Sequence, residues 1–268
     1  MLFRSDTLVE AARKLNRDTN GDGAFEQFGL ERNGYTDLRY VWNHIESAGG
    51  RLFDDDLTRV ELDEAAIRAL DFMADITNSG VVPAEATGFV NGRVAMTGAM
   101  AQVHVVGRMS AMIENFQPGW AIFPKDPVTG GRSFQSSLGF VMASAHTKAP
   151  EAVHKFLMFV QSPEGYHKAA WEVQGVVQEG VPLRRSVAQS RYFLEPNPEI
   201  FPLDMSVLIE LTQYASFEPY HNPRWSVVRN DVWTTLNTEW NKVITGQQPV
   251  SFFVNQAKDL VTPILQRN

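Results

Sequence analysis

The sequence predicts an α/β chain. Short apolar stretches that read as strands alternate with longer stretches of helical period. Helical patterning dominates the last third, and no internal repeat or low-complexity segment interrupts the order. Of 268 residues, 44% are hydrophobic and 21% charged, the balance of a folded protein with a core of ordinary size.

Taken in order, the pattern starts with Leu8, Val9, Ala11, Ala12 and Leu15, a helical stripe that Ser5 or Asp6 can cap. This stripe begins at once and no apolar signal region precedes it, so the chain is expected to start inside a longer gene. Asp18–Gly29 is turn-rich. Thr36 or Asp37 caps a helix through Ala48, with Leu38, Val41, Trp42 and Ile45 on one face and Gly49-Gly50 to stop it. Arg51–Leu62 reads as a hairpin or extended stretch around Asp54–Asp56.

Asp63 opens a helix carrying Ala66, Ile67, Leu70, Phe72, Met73 and Ile76, and Asn78-Ser79-Gly80 ends it. A short helix is expected over 85–90, a strand over 93–97, a helix over 99–114, and strands over 119–123 and 137–144. Pro150 suits the first turn of a helix to Val160, and Ser162-Pro163-Glu164 starts the next. Helices follow near 203–214, 226–245 and 250–266.

The composition excludes several functions. Lys plus Arg number 24 and Asp plus Glu 31, a net charge of −7 that disfavours a general nucleic-acid binder or a polybasic membrane anchor. No apolar run is long enough for a membrane-spanning helix. With no cysteine there are no disulfides, thiolate metal sites or cysteine nucleophiles. The six histidines show no metal-ligand spacing, and nucleophile elbow, phosphate loop and zinc-protease motif are all missing. No catalytic residue, metal or cofactor is therefore assigned. A two-carboxylate glycosidase remains the alternative enzymatic reading, since the acids are numerous.

Seven pieces occur in a characteristic order. They are Asp18-Thr19-Asn20-Gly21-Asp22-Gly23 with Phe28-Gly29; the helix ending at Gly49-Gly50; Phe89-Val90-Asn91-Gly92-Arg93-Val94-Ala95-Met96; a strand, Pro124 and the Gly130-Gly131 loop leading to Ser137-Leu138-Gly139; Ala149-Pro150-Glu151-Ala152-Val153 through Phe156-Leu157 to Ser162-Pro163-Glu164-Gly165; Gly180-Val181-Pro182-Leu183-Arg184; and a late Gly246 before a terminal amphipathic helix. In this order the chain resembles the extracellular solute-binding proteins of ABC transporters, in the sugar-binding family that includes maltose-binding protein.

The resemblance implies a periplasmic-binding-protein-like, two-lobed α/β fold of type II, lacking most of the N-terminal lobe. On it, 6–135 is the first part of the C-terminal lobe, 136–186 a segment of the N-terminal lobe, and 187–268 the return to the C-terminal lobe with its outer helices. It further implies capture of a sugar or small oligosaccharide by hinge closure and delivery to ABC permease subunits. The setting would be the periplasm or the cell surface, as a monomer, with any signal, lipoprotein or not, in the missing N-terminus. A ligand-sensing subunit of a signalling receptor would use the same fold.

Sugar sites need flat apolar faces and planar polar groups. Arg39 and Tyr40 lie off the apolar face of their helix and are candidates, whereas Trp42 lies on it and reads as core. After Ala95-Met96 relatives often carry a Gly-Trp pair that stacks on the ligand. Here the stretch is Thr97-Gly98-Ala99-Met100-Ala101-Gln102, without the tryptophan. Gln102 or His104 would replace stacking by hydrogen bonds, or Met100 and His104 face the core. Ser136, Ser137 and Gly139 sit at the inferred lobe crossover, where small residues admit a ligand or simply form a hinge. Arg184 can reach a hydroxyl or carboxylate, or stay in solvent. The loop 220–225 contributes Tyr220 and, as the strongest candidate, Trp225; Trp233 and Trp240 read as core. Asp18, Asn20, Asp22 and Glu26 follow the start of a calcium loop, but Gly29 stands where its bidentate glutamate is required.

Overall fold

The structure is a computed structural model that describes residues 5–83, 88–97, 116–117, 119, 121–136, 142–168, 181–182, 184–195 and 204–267. The chain folds into two compact units: residues 1–99, 123–136 and 214–268 form unit 1, and residues 100–122 and 137–213 form unit 2.

Unit 1 opens with α1 (Ser5–Leu15) and β1 (Phe28–Leu30), then a short α2 (Asn33–Thr36) and α3 (Leu38–Ser47). The side chain of Asp37 caps α3 by accepting from Arg39 N at 3.0 Å. At the other end Gly49 N donates to Glu46 O and Gly50 N to Ile45 O, both at 2.9 Å, with Gly49 at φ +78°. This paired closure needs a left-handed residue, which glycine supplies without a Cβ clash. Leu38, Val41 and Ile45 are fully buried, each worth about 1.5–3 kcal/mol of apolar burial. The stretch 51–62 forms an antiparallel bridge between Phe53 and Val60. Asp63 caps α4 (Glu64–Asn78), accepting from Ala66 N at 2.8 Å.

β2 (Val94–Met96) lies parallel to β1, with Phe28 opposite Val94 and Leu30 opposite Met96. Residues 119 and 121–123, expected as a strand, are in no strand; Phe123 instead packs its ring 4.8 Å from that of His44. β3 (Phe134–Ser136) comes just before the strand expected at 137–144, of which 142–144 are in no strand and the rest lies outside the described residues.

In unit 2 come α5 (Pro150–Val160), α6 (Pro163–His167), α7 (Arg185–Ala188), α8 (Arg191–Leu194) and α9 (Ser206–Leu211). Ser162 caps α6 by accepting from Gly165 N at 3.1 Å. Tyr166 and Phe193, both buried, meet edge-to-face with centroids 5.9 Å apart. This contact holds α8 on α6, and the chain re-enters unit 1 at Tyr214. The expected helices over 85–90 and 99–114 fall largely or wholly outside the described residues.

The return to unit 1 starts with β4 (Ala215–Phe217), which runs parallel to β3 with Phe134 opposite Ala215 and Ser136 opposite Phe217. Then come α10 (Pro223–Ile244) and α11 (Val250–Leu265), a helical hairpin turned at Gly246, φ +71°. Asn222 caps α10 and Pro223 occupies its first turn. The hairpin buries Trp240 against Phe253, centroids 5.5 Å apart, and its other face packs on α3 and α4. Trp42 of α3 meets Trp233 of α10 at 5.6 Å. No helix among the described residues is long and apolar enough to cross a membrane.

Candidate functional site

The polar end of the α3–α10 contact gathers charged and aromatic groups of unit 1. It is built from two carboxylate–guanidinium pairs. In the first, Arg39 Nε donates to Asp37 Oδ1 and Oδ2 at 3.1 and 3.0 Å, and Nη2 to Oδ2. Asn237, on α10, ties this pair down: its Nδ2 donates to Asp37 Oδ1 at 3.2 Å and its Oδ1 accepts from Leu38 N at 2.8 Å. Burial acts to raise the Asp37 pKa, but the bonds and charge of Arg39 outweigh it and hold the carboxyl below its usual range.

In the second pair, Arg229 reaches Glu218 bidentately, through Nε to Oε2 and through Nη2 to Oε1, the latter at 2.6 Å. The same carboxylate accepts from Trp225 Nε1 at 2.9 Å, Trp233 Nε1 at 3.3 Å and, on Oε1, Gln135 Nε2 at 3.3 Å. Burial again acts to raise the pKa, and again the donors prevail and lower it. A buried carboxylate so fully bonded stays charged.

Helix α3 also orients Gln135. Ser133 N donates to Ser47 Oγ at 2.8 Å, Ser133 Oγ donates to Glu46 Oε2 at 2.5 Å, and Gln135 N donates to Asn43 Oδ1. These bonds seat β3 on α3. Arg39 and Arg229 lie within reach of each other's charge, Tyr40 lies beside Arg39, and the Tyr220 phenol lies beside Arg229. Tyr220 is 53% exposed and Tyr40 half-buried, so both offer ring surface to solvent.

The expected site residues thus divide. Arg39 and Tyr40 are neighbours on α3, and Tyr220 lies beside Arg229 of α10. Ser136 ends β3 and is half-buried. Arg184 belongs to unit 2, where its Nη1 donates to Gln161 O at 3.2 Å. Gln102, His104 and Ser137 lie outside the described residues. Trp225, the strongest candidate in the sequence, has no face to offer: it is fully buried, 5.5 Å from Phe53 and 6.0 Å from Trp233. It sits in the first turn of α10, on the helix's apolar stripe. Arg229 was missed. Its signal is spacing, four residues after Trp225 and four before Trp233, one polar residue within a buried stripe.

Away from this cluster, carboxylate oxygens of Asp18, Asp22 and Glu26 come within 4.8 Å of one another. The turn itself engages them. Asp18 accepts from Gly21 N and Gly23 N, bonds that lower its pKa, Asp22 accepts from Ala24 N, and Glu26 accepts from Thr19.

The sequence of residues 5–167 matches the family described as bacterial extracellular solute-binding protein. The chain belongs to that family. No curated protein matches the solute-binding chain in sequence. Its fold is similar to the maltose/maltodextrin-binding domain MalE from Bdellovibrio bacteriovorus bound to maltotriose, with TM-score 0.73, 21% identity, and coverage of 100% of this chain and 67% of that one. It is also similar to an ABC substrate-binding protein from Listeria monocytogenes in complex with cycloalternan, with TM-score 0.72, 16% identity, and coverage of 100% and 65%. A third similar structure is a cyclo/maltodextrin-binding protein complexed with maltotetraose, with TM-score 0.70, 16% identity, and coverage of 99% and 65%. The solute-binding chain therefore spans about two thirds of the length of these structures, which share its α/β architecture.

Proposed function

We propose that the chain is the substrate-binding component of an ABC importer and captures a sugar or small oligosaccharide. The observation that carries the reading is the Arg39–Tyr40–Tyr220–Arg229 cluster on a member of the solute-binding family. Planar guanidiniums and phenols are the groups that grip sugar hydroxyls and ring faces. The similar structures carry maltotriose, cycloalternan and maltotetraose.

The mechanism is capture without bond-making. Unit 1 supplies most of one lobe and its polar cluster, and unit 2 supplies part of the other. The solute's greater affinity for the closed arrangement shifts the population toward it. A permease then takes the solute, outside the cytoplasmic membrane, from a monomeric binding protein. Asp37 and Glu218 act as positioning residues, holding the two arginines in place.

A thermal-shift screen against a sugar panel tests the reading. A melting temperature that rises with sugar concentration, with the sugar recovered intact, supports it by linkage. Recovery of cleaved sugar supports a glycosidase instead, and a flat response across the panel removes the sugar assignment.

A further inference from the structure

We infer that the solute for this site is a saccharide bearing an anionic group, carboxylate or phosphate, seated against Arg39 and Arg229. The inference rests on the sugar-binding reading above. It follows from how the four charges are sorted by depth. The side chain of Glu218 is 4% exposed and that of its partner Arg229 29%. Asp37 is 22% exposed and its partner Arg39 42%. Each pair is neutral, yet each turns its negative end inward and its positive end outward. The carboxylates are bonded to interior donors, the indoles of Trp225 and Trp233 for one and Asn237 for the other. An incoming group therefore meets a positive edge, although the chain as a whole carries −7.

The donor geometry agrees. Both arginines bond their carboxylates through Nε and Nη2, which leaves each Nη1 outside the ion pairs. Both pairs lie along α10, one held at Arg229 and the other at Asn237 about two turns further on. An anion presents oxygens to planar guanidinium forks there, which a neutral hydroxyl does less well. The apolar side of the site points the same way. Trp42, Trp225, Trp233 and Trp240, all of unit 1, are each at most 8% exposed. Among the described residues of unit 1, the rings that reach solvent near the two pairs are those of Tyr40, Tyr220 and Phe217, none of them an indole.

The test is saturation-transfer NMR on the 268-residue chain, sensitive to millimolar binding, with maltotriose, trigalacturonate and glucose 6-phosphate. Trigalacturonate or glucose 6-phosphate is expected to bind about ten-fold more tightly than maltotriose, the value of one charge-assisted hydrogen bond. Which of the two prevails identifies the anion. Arg39→Gln is expected to abolish the preference and Arg39→Lys to keep part of it, with at most a small fall in melting temperature from the lost Asp37 bonds, since the Arg39 side chain is 42% exposed. Equal or tighter binding of maltotriose overturns the inference and leaves the sugar-binding reading standing. Transfer to none of the three overturns both. A preference that survives Arg39→Gln overturns the placement.

Discussion

Trp225 gives its indole N–H to Glu218 Oε2 at 2.9 Å, and it does so inside the protein, with no part of its ring exposed. A tryptophan used this way anchors a carboxylate and cannot stack on a sugar. Trp225→Phe is expected to cost about 2 kcal/mol, from a lost donor and a small cavity. Tyr220→Ala, at a half-exposed ring, is expected to change stability by less than about 0.5 kcal/mol yet weaken solute binding. Urea denaturation and a sugar titration on both variants separate the roles; equal stability losses would contradict them.

Removing the carboxylate at Glu218 should hurt more. Glu218→Ala strands Arg229 and leaves two buried indole donors unpaired, at an expected cost of about 3 kcal/mol. Glu218→Gln keeps an acceptor and should lose less. Because the Glu218 pKa is lowered on folding, its contribution is present in full above the ordinary glutamate range and fades as pH falls through the folded value. The stability of wild type and Glu218→Gln should therefore converge in acid, as denaturant midpoints would register.

His44 sets a second pH window. Burial pushes its pKa down to about 4, against a smaller opposing pull from Asp126. The unfolded chain binds the proton near pH 6.5 and the folded chain only near 4, so stability holds above 6.5 and drains as pH falls between those values. The full loss is on the order of 3 kcal/mol. Comparing wild type with His44→Phe from pH 7 downward by chemical denaturation isolates it: the variant should fall less steeply.

Gly29 joins β1 to α1 with no room for a methyl group. A Cβ there would lie 2.0 Å from Ala12 O, which is backbone and cannot rotate away. Gly29→Ala is expected to lift α1 off the strand and cost about 2 kcal/mol or more. Faster proteolytic cleavage within residues 5–15 would report it, and unchanged protection would refute the close packing.

Melting curves with millimolar calcium and with chelator should coincide. The Asp18, Asp22 and Glu26 oxygens already accept bonds from Gly21, Gly23, Ala24 and Thr19, and the position for a bidentate glutamate is Gly29. A calcium-dependent rise in melting temperature would overturn this.

The long helices were legible because their signals are local. Asp37, Asp63 and Pro150 stand where their helices begin, and apolar spacing carries each one through. The strands were hard to read for the opposite reason. They are three residues long, and β1, β3 and β4 depend on partners far along the chain. Arg39 and Tyr40 stand out in the sequence by their place off an apolar helix face, and Tyr220 by its place in a polar-aromatic loop. Trp225 was misplaced because α10 starts at Pro223, three residues before the expected start, which moves this ring from loop to helix stripe. Arg229 carries a spacing signal on α10, but its partner Glu218 lies outside the helix, so the pairing itself has no local signature.

The packing of α3 on α10 also dictates when unit 1 can become stable. Leu38 is bonded to Asn237, and Tyr35 O accepts from Trp240 Nε1, contacts that bridge 199 and 205 residues of sequence. At about 5–20 residues per second of synthesis, the apolar stripe of α3 waits roughly 10–40 seconds on the ribosome before its partner helix exists. Through that interval the nascent protein is held open by its own topology, a slow-folding state of high contact order, and kept threadable.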